Sequence, residues 1–362
     1  METEEAVRVG SSRRYDGVGV ERRAPGPPRP AARTVTRITP VGFLHTAVLH
    51  RTTEELVDQL APLVGGWLSM RDRVFVNLSS PRADALRVAL GADADRVRWS
   101  DASRWLPHPA RRLRALQELV AGEERRGSGQ LRFVTERAFP TGPPELVNEW
   151  ERFDAVLNDA FESAALTIVC VFDLAVLPGA AERAGCTHPV LGVDPALPSD
   201  RYLGARDFLA RPRTVSELPE SAVRAGGCVT PTRARELVRT GLAGSLEDGA
   251  KFPAHAVDHL AVVTTELVTN AWQAGARWIQ ASCWRDAGEM GVQVDDDGPG
   301  LTDPFAGYRR PSSSVVGGRG LWIVRQLADL VEIVPSGQGT TARARTFATS
   351  RAVGHRGTVR GS

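Results

Sequence analysis

VDDDGPGL, residues Val294 to Leu301, is the stretch whose reading decides how this chain folds. Three carboxylates follow an apolar segment and run straight into Gly-Pro-Gly. Read alone, the stretch is a polar turn leaving a strand. Asp296 to Gly300 also fits D-x-G-x-G, with the first aspartate closing the strand. Glycines there let the backbone turn sharply and let a planar ligand approach with no Cβ in the way. A carboxylate at Asp296 can accept a hydrogen bond from an exocyclic amine.

Two flanking segments bear on the choice. Upstream lies HLAVVTTELVTNAWQAG, His259 to Gly275. On a helix, Leu260, Val263 and Leu267 form its core stripe, and Glu266 and Asn270, four apart, share one face. Taken alone, such a pair is ordinarily solvated. Downstream lies GGRGLWIVRQLAD, Gly317 to Asp329, where glycines lead into an amphipathic helix with Leu321, Ile323, Val324 and Leu327. A glycine-rich loop opening onto a helix N-terminus offers unpaired N–H groups and a positive dipole end, which suit phosphate. A flexible loop before a helix is the plain alternative.

The chain as a whole excludes several classes. Its 362 residues suffice for two domains with separate cores. A net charge of +2 argues against bulk attraction to nucleic acid or anionic membrane. The longest largely apolar run, Ala164 to Phe172, is far too short to span a bilayer. The opening METEEAV carries no apolar signal core, so a cytoplasmic protein is expected. Cys170, Cys186, Cys228 and Cys283 are scattered and form no C-x-x-C pair, which suits reduced thiols. Lys251 is the only lysine, in GAKFP. That context is neither a Walker A loop nor a kinase strand lysine, so any nucleoside triphosphate must be held another way.

Organisation follows from texture. Residues 1–40, with APGPPRPAAR, read as a disordered arm. Strands at 73–78, 131–134 and 166–172 alternate with helices at 53–64, 83–90, 111–125 and 145–164, which argues for an α/β domain over 41–200. Residues 201–227 look like a connector, with the linker proper at 201–213. A second domain spans 214–348, with helices at 232–243, 254–275 and 321–330 and strands at 278–284, 291–295, 331–334 and 341–347. A tail occupies 349–362.

Order and spacing join the three segments. A helix with E-x-x-x-N, then D-x-G-x-G, then G-x-G-L, then GTT on a final strand resembles the ATP-binding fold of gyrase, Hsp90 chaperones, histidine kinases and mismatch-repair proteins, the GHKL group. The resemblance covers about 214–347 and implies an α/β sandwich with a mixed sheet. It implies that Asn270 coordinates Mg²⁺ on ATP, that Glu266 is the general base, and that Asp296 accepts the adenine amino group. Gly298 and Gly300 would floor the adenine pocket. Gly318, Arg319 and Gly320, with Leu321 beside them, would wrap the phosphates. Thr340 or Thr341 would reach the adenine side, and 301–317 would be a mobile lid. Within the group, GRGLWIVRQLAD most resembles the bacterial anti-sigma factor serine kinases. Where those often carry His-Ala after the asparagine, this chain has Ala274-Gly275.

The N-terminal half resembles MEDS sensory domains through HTAVLH, RVFVNLS, LGADADRVRWSDASRW, LRFVTERAFP, FDAVLNDAF, LTIVCVFD and THPVL, over about 41–191. That implies a RecA-like α/β layer without a phosphate-binding lysine. The implied protein is a signalling regulator that binds ATP and Mg²⁺ and phosphorylates a serine or threonine of a protein partner. That partner would be an anti-sigma antagonist, a sigma factor, or both, and the chain could form a homodimer. Two alternatives stay open: a nucleotide-gated binding module without transfer, and a sensor histidine kinase. None of His45, His50, His108, His188, His255, His259 and His355 stands in a phosphoacceptor context. His255 and His259, four apart, could hold zinc, but no third ligand is visible. Trp272, Trp278, Trp284 and Trp322 suit core or partner surface. Asp295 and Asp297 are expected to be solvated.

Overall fold

A computed structural model of the chain describes residues 42–102, 108–126, 130–137, 143–176, 179–243, 251–286, 288–309 and 318–348. The expected arm, the tail and the second half of the expected lid lie outside the described residues.

The N-terminal layer is built from β1 (Leu44–His50), α1 (Thr53–Ser69), β2 (Arg73–Leu78), α2 (Ser80–Leu90), β3 (Arg98–Asp101), α3 (Pro109–Glu124), β4 (Leu131–Glu136), α4 (Pro144–Ala160) and β5 (Leu166–Asp173). It continues through α5 (Ala180–Thr187), β6 (Val190–Leu191), β7 (Leu197–Pro198) and α6 (Ala205–Leu209). The strands lie in the order β3-β2-β4-β5-β1-β6-β7, parallel except for β7, an α/β layout. β5 is apolar on both faces because helices cover both. Val169 and Val171 face the core of α1 and α2, while Ile168, Cys170 and Phe172 face α3, α4 and α5. α1 starts at a cap: Thr52 accepts from the Glu55 amide, and Glu55 reaches back to the Arg51 amide at 2.7 Å.

The second layer contains β8 (Val223–Ala225), α7 (Pro231–Gly241), α8 (Ala256–Gln273), β9 (Ile279–Asp286), β10 (Glu289–Asp296), α9 (Gly320–Leu327), β11 (Leu330–Ser336) and β12 (Gly339–Phe347). The sheet runs β11-β12-β10-β9-β8. A mixed sheet is expected from the resemblance. Its ladders are antiparallel, and the parallel feature among the described residues is an isolated bridge between Cys228 and Ile279. Strand alternation divides its faces. Ala281, Cys283, Val292, Val294, Ala342 and Ala344 pack under α7, α8 and α9. The opposite face buries Ser282, Gln293, Glu332, Arg343 and Arg345.

Residues 201–227, read as a connector, are more ordered than that. α6 buries Phe208 and Leu209, and β8 extends the second sheet. The expected lid also differs in its described half. Phe305 and Tyr308 are only 2% and 3% exposed and join the core around α4. The Tyr308 hydroxyl donates to Glu149 at 2.7 Å, Arg325 pairs with the same carboxylate at 2.8 Å, and Arg213 at 3.4 Å. Arg309 forks onto Asp159 at 2.8 and 3.1 Å. The root of the expected lid is thus pinned to α4 rather than loose, because two aromatic side chains and a buried carboxylate hold it there. Among the described residues no helix is long and apolar enough to cross a membrane.

Candidate functional site

α8 supplies the first pair. Leu260, Val263, Leu267 and Val268 bury one stripe, which leaves Glu266 and Asn270 half-buried one turn apart toward α9. Gly320, the first residue of α9, lies directly against them. A Cβ built there would meet Glu266 Oε2 at 2.9 Å and the two amide atoms of Asn270 at 3.0 and 3.2 Å. Glycine therefore permits the phosphate-loop candidate to touch the acid and the amide together. Asn270 Nδ2 is buried with no hydrogen-bond partner. A buried amide left unpaired costs about 1–3 kcal/mol, so a native one calls for a ligand or ion. Oxygen and nitrogen of an amide are told apart only by their partners, so the same atom position also suits an oxygen facing a cation.

Gly318 and Arg319 precede this contact. Both are exposed, and Arg319 makes no ion pair among the described residues. It stands at the N-cap of α9. Leu321, just behind, packs partly buried against the core of the second layer.

β10 delivers the acidic triplet, and the structure separates its members. Asp296 ends the strand half-buried, and its Oδ1 accepts from the Gly298 amide at 2.8 Å. Burial pushes its carboxyl above the usual carboxylate range, and Asp297 and Asp295 add to that. Hydrogen bonds from the Gly298 and Thr340 backbone pull the other way. Gly298 sits close over Ala274 and Ala276, and Gly300 adopts φ +81° to turn the loop. Gly339 is required by close approach: at φ +141° its missing side chain lets β12 lie on the Asp296 carbonyl.

Asp297 is exposed as expected and Asp295 is half-buried, but neither is a bystander. Asp297 Oδ1 accepts from the Arg277 and Trp278 amides at 2.7 and 2.8 Å, which holds its carboxyl below the usual range. It ties the loop to the start of β9. Asp295 accepts from Gln293 and, at 2.7 Å, from the Thr341 hydroxyl. The Thr341 hydroxyl is thereby committed away from Asp296. Thr340, in register opposite Asp296, is the threonine left at the site.

The other expectations sort plainly. Ala274 caps α8 and Gly275 ends it at φ +83°, so the position of the usual His-Ala pair is a helix terminus. His255 and His259 stack at 4.2 Å but gather no third ligand among the described residues. His259 turns toward the Leu327 carbonyl and not toward Glu266. Trp284 is buried, whereas Trp272 and Trp278 are 43% and 42% exposed. What the sequence reading missed is the contact of Gly320 with Glu266. Gly320 was picked out for its loop, and only the crossing of α8 and α9 shows what it touches.

Comparison with known proteins follows the same division. Residues 229–346 match the family described as histidine kinase-like ATPase domain. Residues 44–189 match the family described as MEDS, the methanogen/methylotroph, DcmR sensory domain. A search of curated proteins found no match. Among solved structures, the RsbU and RsbW domains of Rv1364c from Mycobacterium tuberculosis align at 18% identity and a TM-score of 0.26, covering 36% of this chain and 32% of that one. The chain thus spans about a third of that relative. The histidine kinase domain of the E. coli osmosensor EnvZ aligns at 23% identity and a TM-score of 0.22, covering 41% of this chain and 100% of that one.

Proposed function

From a chain that carries a MEDS sensory domain ahead of a histidine kinase-like ATPase domain, we propose an ATP- and Mg²⁺-dependent protein serine/threonine kinase of the anti-sigma-factor type. The N-terminal domain would control its nucleotide site. The observation that carries the reading is the junction of Glu266, the unpaired Asn270 amide and Gly320.

In this reading Asp296 and Thr340 hold the adenine edge over Gly298 and Gly300. The α9 N-terminus, with Gly318, Arg319 and Gly320, receives the phosphates. Asn270 would hold a Mg²⁺ ion, which would supply charge neutralisation for the phosphate oxygens. Glu266 accepts the proton of a serine or threonine hydroxyl of the partner protein. That oxygen bonds to the γ-phosphorus, the bond to the β-bridging oxygen breaks, and ADP leaves. A partner such as an anti-sigma antagonist supplies the hydroxyl, and a sigma factor is a second candidate for sequestration.

Histidine autophosphorylation is disfavoured by where the described histidines lie. His45, His50 and His188 are buried, His108 lies 3.2 Å from Asp329, His255 is the N-cap of α8 and His259 lies in its first turn. A nucleotide-gated binding module remains the second reading, favoured by Ala274-Gly275, which puts only a methyl group where the family often has an imidazole. Incubation with γ-labelled ATP, Mg²⁺ and candidate partners separates the two. Transfer of acid-stable label, lost in Glu266→Ala, supports the kinase. Nucleotide-dependent association without labelled partner selects the module. Control by the N-terminal domain is supported by the lid root being held on α4 through Glu149 and Asp159.

A further inference from the structure

The N-terminal layer buries a group of side chains that the proposed kinase reaction does not use. His45 on β1, Asp154 on α4, Cys170 on β5 and His188 at the end of α5 each aim one ligand atom at a common point. Those four atoms lie within 4.8 Å of one another, and all four residues are buried. The β1–β5 register makes the pairing possible. His45 lies opposite Ile168 and Ala47 opposite Cys170, so His45 and Cys170 share the sheet face under α4. His45 Nε2 stands 3.4 Å from Cys170 Sγ, and the two imidazole rings are 4.1 Å apart.

The hydrogen bonds around the group fix its protonation. His188 Nδ1 lies 3.0 Å from the Ala184 carbonyl, which can only accept, so Nδ1 carries the proton. His188 Nε2 is then a bare lone pair, and it is buried without a partner. Asn158 donates its amide N–H to the Thr187 carbonyl at 2.8 Å. Its oxygen therefore faces His45 Nδ1 at 3.0 Å and takes that proton, leaving His45 Nε2 bare toward Cys170. Two neutral imidazoles, each oriented through Nδ1–H and each turning Nε2 inward, are the arrangement that metal-binding histidines require. A core that only needed filling would not leave Nε2 of His188 unpaired.

We propose that His45, Cys170, His188 and Asp154 bind one divalent transition-metal ion of the zinc class. Two imidazoles, a thiolate and a carboxylate form a four-donor set of that type. On binding, the Cys170 S–H bond breaks, a sulfur–metal bond forms, and one proton passes to solvent. Arg137 pairs with Asp154 and lies 3.7 Å from Cys170 Sγ, so its guanidinium stands beside both anionic donors and shares the carboxylate's charge. The site is separate from the proposed nucleotide site and needs no phosphotransfer.

The test uses the full chain, stripped with chelator and titrated with Co²⁺ alone under anaerobic conditions. The expected result is one equivalent bound, with a thiolate-to-cobalt charge-transfer band and the intense visible bands of a four-coordinate ion, both bleached by Zn²⁺. Cys170→Ser should lose the charge-transfer band, and Asn158→Ala should weaken binding by about 10–100-fold. The triple variant Cys186→Ser/Cys228→Ser/Cys283→Ala leaves Cys170 as the only thiol. Its band should match wild type, which keeps the decision open if Cys170→Ser does not fold. Absence of a charge-transfer band in wild type, its absence in the triple variant with native circular dichroism, or its persistence in Cys170→Ser overturns the proposal.

Discussion

Gly320→Ala tests the proposed nucleotide site where geometry and stability pull apart. The added Cβ would come within 2.9 Å of Glu266 Oε2 and 3.0 Å of Asn270 Oδ1, inside normal contact by several tenths of an ångström. Both obstacles are far ends of flexible side chains, so they can move and the fold can keep its shape. Gly320 opens α9 without a positive φ, so alanine is tolerated by the backbone and gains up to about 1 kcal/mol of helix propensity. Melting temperature should hold or rise slightly. Function should not. A displacement on the order of 1 Å of a base or a metal-holding amide costs about 100-fold in rate. The assay pairs thermal denaturation with calorimetric titration of ATP/Mg²⁺ and label transfer to partner. Unchanged affinity and transfer in a folded variant would show that the Glu266–Asn270–Gly320 junction is packing and not a phosphate seat.

Four further outcomes follow. Asp296→Asn should abolish ATP binding with little loss of stability, whereas Asp295→Asn should cost about 1 kcal/mol through Gln293 and Thr341 and leave ATP affinity near wild type; equal affinity losses mean the adenine reader is misplaced. Because the Asp296 carboxyl is raised, ATP affinity should fall with decreasing pH earlier than an ordinary carboxylate would predict, as protonation removes the acceptor; a pH-independent affinity down to the ordinary carboxylate range refutes this. Asp297 is depressed in the folded state, so its stabilisation is present above its unfolded pKa and is lost as pH falls through the lower folded value; Asp297→Ala should lower the melting temperature at neutral pH and flatten its acid slope. Glu149→Ala strands Arg325 and the Tyr308 hydroxyl in the core and should cost about 3–5 kcal/mol by chemical denaturation, with Glu149→Gln losing less.

The local signals were the legible ones. α8 could be read from Leu260, Val263 and Leu267 because its apolar stripe lies within one helix. β10 could be read because Val292 and Val294 alternate up to Asp296. β1 went unread as a strand, since His45, Thr46 and His50 break its apolar run, yet all three are buried. The tie made by the exposed Asp297 is not legible because its two donors, Arg277 and Trp278, are brought to it only by the turn into β9. His255 and His259 are the pair whose helical spacing suggests zinc in the sequence. The four-residue group actually assembled spans His45 to His188 across two strands, a helix and a helix end, and no sequence spacing announces it.

α4 bears on both halves of the chain at once. One side of it carries Asp154 and Asn158 into the His45–Cys170–His188 group, and another carries Glu149 and Asp159 to Tyr308, Arg325 and Arg309 beside the expected lid. A rigid rod loaded on two sides cannot be read in one direction only. If filling the buried group changes ATP affinity by some factor, ATP must change the affinity of that group by the same factor. The nucleotide would then be a signal to the N-terminal domain as much as that domain would be a signal to the proposed nucleotide site.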